Sequence, residues 1–212
     1  MIENYNTIIG EFSDVTVIER SKFICYLKGI EDEEQAKSFI INIKKQNSLA
    51  NHNCYAYIAD DKGLVMKFSD DGEPQGTAGL PMLEVLKNKR LYKTVAVVTR
   101  YFGGIKLGAG GLVRAYSGAV SDCVKEAQVF EMSKVVFLHL LTDYEGYSKL
   151  DNLLVKMNIP KVEVNFENEV KLKVVIKTED GAEENFCNKI LDLFKGKDIV
   201  KNKEYGYYAF KV

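Results

Sequence analysis

The sequence of 212 residues contains no tryptophan, only three prolines and only four cysteines. Cys25, Cys54, Cys123 and Cys187 lie far apart without a C-x-x-C pair, which fits neither a zinc site nor a disulfide framework. No apolar run approaches membrane-spanning length, and the first residues are acidic where a signal peptide would be basic. The sequence therefore predicts a globular cytoplasmic protein with reduced thiols and no membrane partner.

An excess of either charge is also lacking, since 29 basic residues are balanced by 30 acidic ones. Proteins that coat duplex nucleic acid usually carry a large positive excess. Positive charge is nevertheless concentrated between residues 85 and 121, where seven basic residues stand without an acidic one: Lys87, Lys89, Arg90, Lys93, Arg100, Lys106 and Arg114. The first three are at the predicted end of a helix, which cations stabilise. Arg100, Lys106 and Arg114 indicate a confined site for an anion such as phosphate.

Five glycines follow an apolar strand in the segment Thr99–Tyr116, T-R-Y-F-G-G-I-K-L-G-A-G-G-L-V-R-A-Y. They are Gly103, Gly104, Gly108, Gly110 and Gly111, and residues 103–111 are called the glycine loop below. Glycine lets main chain approach a ligand closely, and the predicted helix that follows presents free N–H groups to an anion. The spacing matches neither G-x-x-x-x-G-K, where Ala109 replaces the lysine, nor G-x-G-x-x-G. We predict that this loop and its three cations bind phosphate.

Apolar periodicity predicts a mixture of strands and helices in the first 130 residues. The predicted strands are Val15–Glu19, Lys22–Leu27, Asn53–Ala59, Leu64–Ser69 and Val95–Tyr101. Arg20-Ser21 forms the corner between the first two, and Asp60-Asp61-Lys62-Gly63 predicts a hairpin between the next two. Helices are predicted over Asp32–Gln46, from Thr77 to about Lys89, and after the glycine loop.

The pattern restarts between Gln128 and Ser133, which divides the chain into predicted domains 1–130 and 131–212. The second domain has the order βαββαβ: strand Val135–Leu141, helix Tyr144–Met157, strands Lys161–Phe166 and Val170–Lys177, helix Ala182–Phe194 and strand Lys203–Val212. Apolar residues alternate with lysines along its third strand, so one sheet face is buried and the other open. A ferredoxin-like fold satisfies this order.

Three segments of the first domain are predicted to meet at one edge of its sheet. The strands ending at Ser69 and Tyr101 are joined through a helix and are therefore parallel, and the antiparallel hairpin returns His52 to the same edge. Asp70, Asp71 and Glu73 then lie beside the glycine loop. Two interpretations stay open. In the first, the acidic residues form a turn that pairs with basic neighbours, and His52 is a hydrogen-bonded histidine at the edge of the core. In the second, the carboxylates bind Mg²⁺ and His52 acts as a general base.

The last strand contains a second nucleic-acid signal. Lys203–Phe210, K-E-Y-G-Y-Y-A-F, is similar to an RNA-recognition strand, with Tyr205 and Tyr207 on one face for base stacking. Glu204 replaces the glycine of that motif, and chance similarity in a tyrosine-rich strand is the alternative. If the signal is genuine, Lys171 and Lys173 on the open sheet face complete a secondary RNA surface.

Four strings resemble the Impact/YigZ family of uncharacterised, translation-associated proteins. They are R-S-K-F-I at Arg20–Ile24, H-N-C-Y-A-Y at His52–Tyr57, S-D-D-G-E-P-Q-G-T-A-G-L-P-M-L at Ser69–Leu83 and V-V-T-R-Y-F-G-G-I-K-L-G-A-G-G-L-V-R-A-Y at Val97–Tyr116. The resemblance implies an α+β protein of two domains. The first is an α/β sandwich of the ribosomal-protein domain-2 and elongation-factor-G domain-four type, with a left-handed crossover. The second is ferredoxin-like, similar to the last domain of elongation factor G.

The family resemblance carries no secure reaction. Eukaryotic Impact proteins have a further N-terminal module that contacts a translation-control kinase pathway, and that module and partner are not expected in this chain. Our leading hypothesis is a binding protein for RNA or the ribosome that regulates translation without a metal or cofactor. One alternative is an Mg²⁺-dependent enzyme that acts on small-molecule or nucleotide phosphates, because the fold implied for the first domain is shared with a family of small-molecule kinases. The other alternative is a protein-interaction module.

Overall fold

The computed structural model describes residues 4–212, so residues 1–3 of the predicted first domain lie outside the described residues. The chain divides into two compact units. The first unit comprises the residues up to Met132 together with Phe210–Val212, and the second comprises Ser133–Ala209. The last three residues are thus grouped with the first unit, although the sequence predicts them in the second domain.

The first unit contains six strands and three helices among its described residues. They are β1 (Asn4–Ile8), β2 (Glu11–Ile18), β3 (Ser21–Gly29), α1 (Glu33–Gln46), β4 (His52–Ile58), β5 (Met66–Ser69), α2 (Gly79–Asn88), β6 (Thr94–Tyr101) and α3 (Gly108–Glu126). Five strands form a sheet of order β2-β3-β6-β4-β5, in which all neighbours are antiparallel. Strands β5 and β6 are therefore parallel to each other, as predicted.

Both faces of this sheet are covered, because side chains alternate between faces along each strand. One buried cluster joins β3, β4 and β6 to α2 and α3, and includes Phe23, Cys54, Val98, Met82 and Tyr116. The other cluster joins the opposite face to α1, and includes Tyr57, Val95, Val97, Phe39 and Ile43. The sheet therefore lies between two layers of helix.

The largest local differences from the sequence prediction lie at strand ends. The type I′ geometry of the first hairpin places positive φ angles at Glu19 (46°) and Arg20 (63°), one residue before the predicted corner. Strand β5 begins at Met66 because the Asp60 side chain accepts hydrogen bonds from the amides of Leu64 and Val65, which widens the loop. Strand β1 is not predicted; it pairs with the remote segment 90–92, where Tyr92 N donates to Asn6 O at 2.9 Å.

Helix α3 confirms the predicted apolar stripe and contains a glycine that no packing contact requires. Its buried residues include Leu112, Tyr116, Ala119, Val120, Cys123 and Val124.

A Cβ at Gly118 of this helix would have no neighbouring heavy atom within 4 Å. Gly118→Ala is expected to raise the free energy of unfolding by about 0.5–1 kcal/mol, because alanine loses less backbone entropy in a helix. Urea denaturation measures the change, and an unchanged or lower stability would contradict it.

The second unit has helices on one face of its sheet. Its elements are β7, which begins in the first unit (Val129–Thr142), α4 (Tyr144–Lys156), β8 (Lys161–Phe166), β9 (Val170–Lys177), α5 (Ala182–Leu193) and β10 (Val200–Lys211). The strand order is β10-β7-β9-β8. The helix-covered face includes Leu138, Leu172, Leu150, Phe186 and Ile190, all buried. Lys171 and Lys173 alternate with the buried residues of β9, as predicted.

The described residues thus form an α+β structure with two sheets and five helices. Among residues 4–212, no helix combines the length and the apolar composition needed to cross a membrane.

Candidate phosphate-binding edge of the first unit

His52, the acidic residues after β5 and Arg100 of β6 lie together at one edge of the first unit's sheet. His52 begins β4 and has Arg100, near the end of β6, as its Cα partner. The acidic loop, Asp70–Glu73, follows β5 and contacts both residues. His52 Nδ1 donates to the carbonyl oxygen of Asp71 at 2.9 Å, and Arg100 Nη1 donates to Glu73 Oε1 at 2.7 Å. The antiparallel register of β4 with β5 and β6 brings these groups together.

Glu73 is the centre of a buried polar group that we call the Glu73 cluster: His52, Glu73, Arg100 and Tyr116. Its Oε1 accepts from Arg100 and from the Tyr116 hydroxyl at 2.8 Å, and His52 Nε2 lies 3.9 Å away. The side chains of Glu73 and Arg100 are only 3% and 7% exposed, so water does not screen their ion pair. Burial raises the pKa of Tyr116 well above its usual range, so this hydroxyl stays protonated as a donor.

Arg100 is predicted from the sequence to bind phosphate, but the structure places its guanidinium inside the protein. The group lies 5.4 Å from the ring centroids of Phe23 and Phe102 and pairs with Glu73. A buried guanidinium with a carboxylate partner is not presented to a ligand at the surface. Lys106 and Arg114 are the cations of the predicted set that remain exposed.

His52 is held by the backbone of the acidic loop. Because a carbonyl oxygen can only accept, the bond to Asp71 places a proton on Nδ1. Asp70 accepts from the amides of Gly76, Ala78 and Gly79 at 2.8–3.1 Å, which satisfies the start of α2. The acidic loop therefore stabilises both β4 and α2.

Asp71 is equally engaged. Its carboxylate accepts from the amide of Asn53 at 2.7 Å and from Lys44 Nζ at 2.6 Å. Within the described range 4–212, no group of three or more histidine, cysteine, aspartate or glutamate side chains is arranged to hold a metal ion. The carboxylates that the sequence offers as Mg²⁺ ligands thus have protein partners.

Several residues of this edge are not singled out by the sequence. Tyr116 is predicted only as part of a buried stripe, and Ser21 only as a corner residue. Ser21 Oγ accepts from the amide of Gly103 at 3.1 Å. Burial raises the pKa of the Cys54 thiol to about 12, so it stays protonated and donates to the Asp70 carbonyl at 3.0 Å. A polar residue in an otherwise apolar stripe is the signal that could have identified Tyr116.

The glycine loop begins in close contact with the turn after β2. A Cβ at Gly103 would lie 2.0 Å from the carbonyl carbon of Arg20, so only glycine fits there without movement. Phe102 N donates to Asn51 Oδ1 at 2.8 Å, which ties the loop to the residues before β4. Helix α3 begins at Gly108, so the last three glycines form its first turn rather than a loop. The N-cap residue Leu107 provides no side-chain hydrogen bond to the helix amides.

A groove of about 580 Å³ lies beside this helix start, and we call it the Lys106 groove. It is lined by Ile18, Glu19, Ile105, Lys106, Leu107, Gly111, Arg114 and Ala115. Lys106 and Arg114 are exposed, and their side chains form no ion pair or hydrogen bond with any residue from 4 to 212. Two exposed cations and one carboxylate, Glu19, therefore line an open groove beside the start of α3.

The predicted secondary RNA surface is divided between two sheet faces. Lys173 Nζ donates to Glu204 at 3.0 Å, whereas the hydroxyl of the next residue, Tyr205, donates to Glu183 of α5 at 3.3 Å. Because successive residues of a strand point to opposite faces, Tyr205 and Tyr207 lie on the side of the helices and Lys171 and Lys173 on the open side. The tyrosines and lysines therefore do not form one surface.

Fold and site together define a two-unit α+β protein whose first unit combines a buried ionic cluster with an exposed basic groove. The model of the Impact N-terminal domain family matches residues 19–124. IMPACT family member YvyE of Bacillus subtilis (strain 168) is 41% identical over 207 residues, which cover 98% of this chain and 94% of that protein. The chain therefore belongs to the Impact family, as its motifs predict.

Two further comparisons agree. IMPACT family member YigZ of Escherichia coli (strain K12) is 34% identical over 187 residues, covering 86% of this chain and 91% of that protein. A crystal structure of an hypothetical protein superposes with a TM-score of 0.60 at 29% identity, covering 100% of this chain and 98% of the other. The similarity thus extends over both units.

Proposed function

We propose that this protein binds structured RNA or the ribosome and thereby regulates translation, with the Lys106 groove as the site for backbone phosphate. The observation that carries the proposal is the pair of exposed cations, Lys106 and Arg114, beside the uncapped start of α3. The translation role is what resemblance to the Impact family implies, and membership of that family supports it.

Three features of the groove and of the adjacent helix start favour phosphate binding. The first amides of a 19-residue helix carry partial positive charge and lack a side-chain cap. Gly108, Gly110 and Gly111 place no side chain over these amides, so an oxygen can approach the backbone. Lys106 and Arg114 add full charges, and arginine can bind phosphate through two hydrogen bonds.

The shape of the surface favours a polymer over a small metabolite. Lys106 and Arg114 are largely solvated rather than enclosed, which suits contact with an extended backbone. Arg20, whose backbone contacts Gly103, is a further exposed cation at the same edge. Local contacts of this kind are compatible with a net charge of −1 for the whole chain.

The two units support the folds that the family resemblance implies. The βαββαβ order of the second unit with strand order β10-β7-β9-β8 supports a ferredoxin-like fold. The first unit, with helices on both faces of its sheet, supports the α/β sandwich of the ribosomal-protein type. We propose both as the specific folds.

The double variant Lys106→Glu with Arg114→Glu is expected to bind a labelled RNA hairpin at least about tenfold more weakly than the unaltered protein. Loss of two phosphate contacts should also make the slope of log K against log salt less negative by about 1.4–1.8. Fluorescence anisotropy over a salt series measures both values. Co-sedimentation with ribosomes extends the test to the larger partner.

The matched control is Lys45→Glu with Lys62→Glu, which makes the same charge change at exposed residues elsewhere in the first unit. It should change affinity little. Equal affinities for the groove variant and the unaltered protein, or equal losses in the two double variants, would count against the Lys106 groove as the site.

A further inference from the structure

The open face of the second unit's sheet has a depression that the proposed function does not use. Its volume is about 310 Å³, and its polar lining comes from four strands: His139, Glu163, Asn165, Lys171, Lys173 and Lys201. Three lysines against one glutamate give this lining a net positive charge. Cavities of this size hold small ligands or single groups of larger ones.

The carboxylate of Glu204 contacts two residues of this lining, Lys173 and His139. Glu204 accepts from Lys173 Nζ at 3.0 Å, and its other oxygen lies 3.3 Å from His139 Nε2. That buried nitrogen makes no well-aligned hydrogen bond within residues 4–212. Lys173, and then His139, lower the pKa of Glu204, so the carboxylate is negative at neutral pH. Its side chain is 49% exposed and can therefore move away.

The other lysines are available to an external ligand. Lys171 pairs at 2.7 Å with Glu167, but both side chains are about 60% exposed, and such surface pairs contribute little. Lys201 Nζ contacts only the carbonyl oxygen of Asp198, at 3.4 Å, and has no carboxylate partner in the described part of the chain. A ligand with more than one negative charge would gain more from these ammonium groups than one carboxylate does.

We propose that this depression binds a phosphate group through Lys171, Lys173 and Lys201, and that Glu204 is the internal anion that the phosphate displaces. Ammonium groups bind phosphate as point charges, and Asn165 can add a neutral donor. The phosphate can belong to an RNA backbone or to a free oligophosphate, since the chemistry is shared. The site belongs to the other unit and does not depend on the Lys106 groove.

Two variants of the full chain with opposite expected effects test the site. Lys171→Gln with Lys173→Gln should weaken phosphate binding by about fivefold or more, because two charges are lost. Glu204→Gln should strengthen binding by about threefold or more, because the competing anion is removed while its shape is kept. Inorganic tripolyphosphate is the small probe, measured by calorimetry, and a labelled single-stranded RNA is the polymer probe, measured by anisotropy.

Matched controls lie on the helices of the same unit. Lys156→Gln with Lys189→Gln, and separately Glu184→Gln, alter exposed side chains that have no ion pair among the described residues. These variants should leave both affinities unchanged. Circular dichroism confirms that all variants are folded.

The outcomes separate the sources of phosphate. If the lysine variant weakens RNA binding and Glu204→Gln strengthens it, the site is supported and its ligand is nucleic acid. If the two variants change the affinity for tripolyphosphate alone in these opposite directions, the site is supported and its ligand is a free phosphate compound. Absence of binding, or affinities that follow the control variants, overturns the proposal. RNA binding that depends on Lys106 and Arg114 but not on Lys171 and Lys173 leaves the proposed function standing while this inference fails.

Discussion

Replacement of Arg100 by methionine is expected to lower the free energy of unfolding of the first unit by about 3–5 kcal/mol. The change leaves Glu73 as a carboxylate 3% exposed without its cation, although Tyr116 still donates to it. Breaking a buried ion pair from one side is costly because the remaining charge keeps its desolvation penalty. Native-state hydrogen exchange of the β3, β4 and β6 amides reports the stability of this unit separately from the other.

A double-mutant cycle gives the control for this expectation. Glu73→Gln alone removes the charge but keeps a hydrogen-bonding side chain, and Arg100→Met with Glu73→Gln removes both charges. The loss in free energy of unfolding of the double variant should be smaller than the sum of the losses of the two single variants, because neither charge is then buried without its partner. Additive losses, or a loss below about 1 kcal/mol for Arg100→Met, would show that the pair is not the energetic centre of this edge.

Gly103→Ala is expected to destabilise the first unit by about 3 kcal/mol or more, since overpacking against backbone cannot be relieved by a rotamer change. The added Cβ would lie 2.0 Å from the carbonyl carbon and 2.2 Å from the carbonyl oxygen of Arg20. To relieve the overlap, the glycine loop must move away from the β2–β3 turn. RNA affinity should therefore fall together with stability, and urea denaturation and anisotropy measure the two effects.

Gly104→Ala is the neighbouring control. Gly104 has φ +87°, but a Cβ there would meet no heavy atom within 4 Å. Only the left-handed backbone then costs energy, about 1 kcal/mol. The close approach at Gly103 would be refuted if its alanine variant were as stable as this control.

Much of the first unit's edge follows from sequence rules of short range. The parallel direction of β5 and β6, and the return of the hairpin to the same edge, predict that His52 and Arg100 lie near each other. The structure places β4 between the two strands and pairs the Cα positions of His52 and Arg100. Apolar periodicity likewise predicts the buried stripe of α3. These features are predictable because each depends on direction or repetition within a local segment.

The exposure of a charge could not be predicted in the same way. Arg100 and Lys106 are both basic residues beside glycines, yet one is buried in an ion pair and the other lies in an open groove. The difference arises from Glu73, which lies 27 residues earlier, and from Tyr116, which lies 43 residues beyond Glu73. Burial is a property of the assembled layers.

The second unit shows the same limit. Alternation along β9 predicts that the side chains of Lys171 and Lys173 lie on the same face of the sheet. The sheet face on which the Tyr205 side chain lies depends on which residues of β10 contact these two lysines. The contact of Lys173 with Glu204 decides that Tyr205 points to the opposite side.

The sequence by itself determined the family, the class of fold, the order of the main strands and helices, and the local concentration of positive charge. Tertiary structure alone decided which cations remain in water, which carboxylates are already engaged, and which side chains share a face. The physical reason is range: periodicity and turn chemistry act between near neighbours, whereas desolvation and strand pairing depend on residues far apart in the chain.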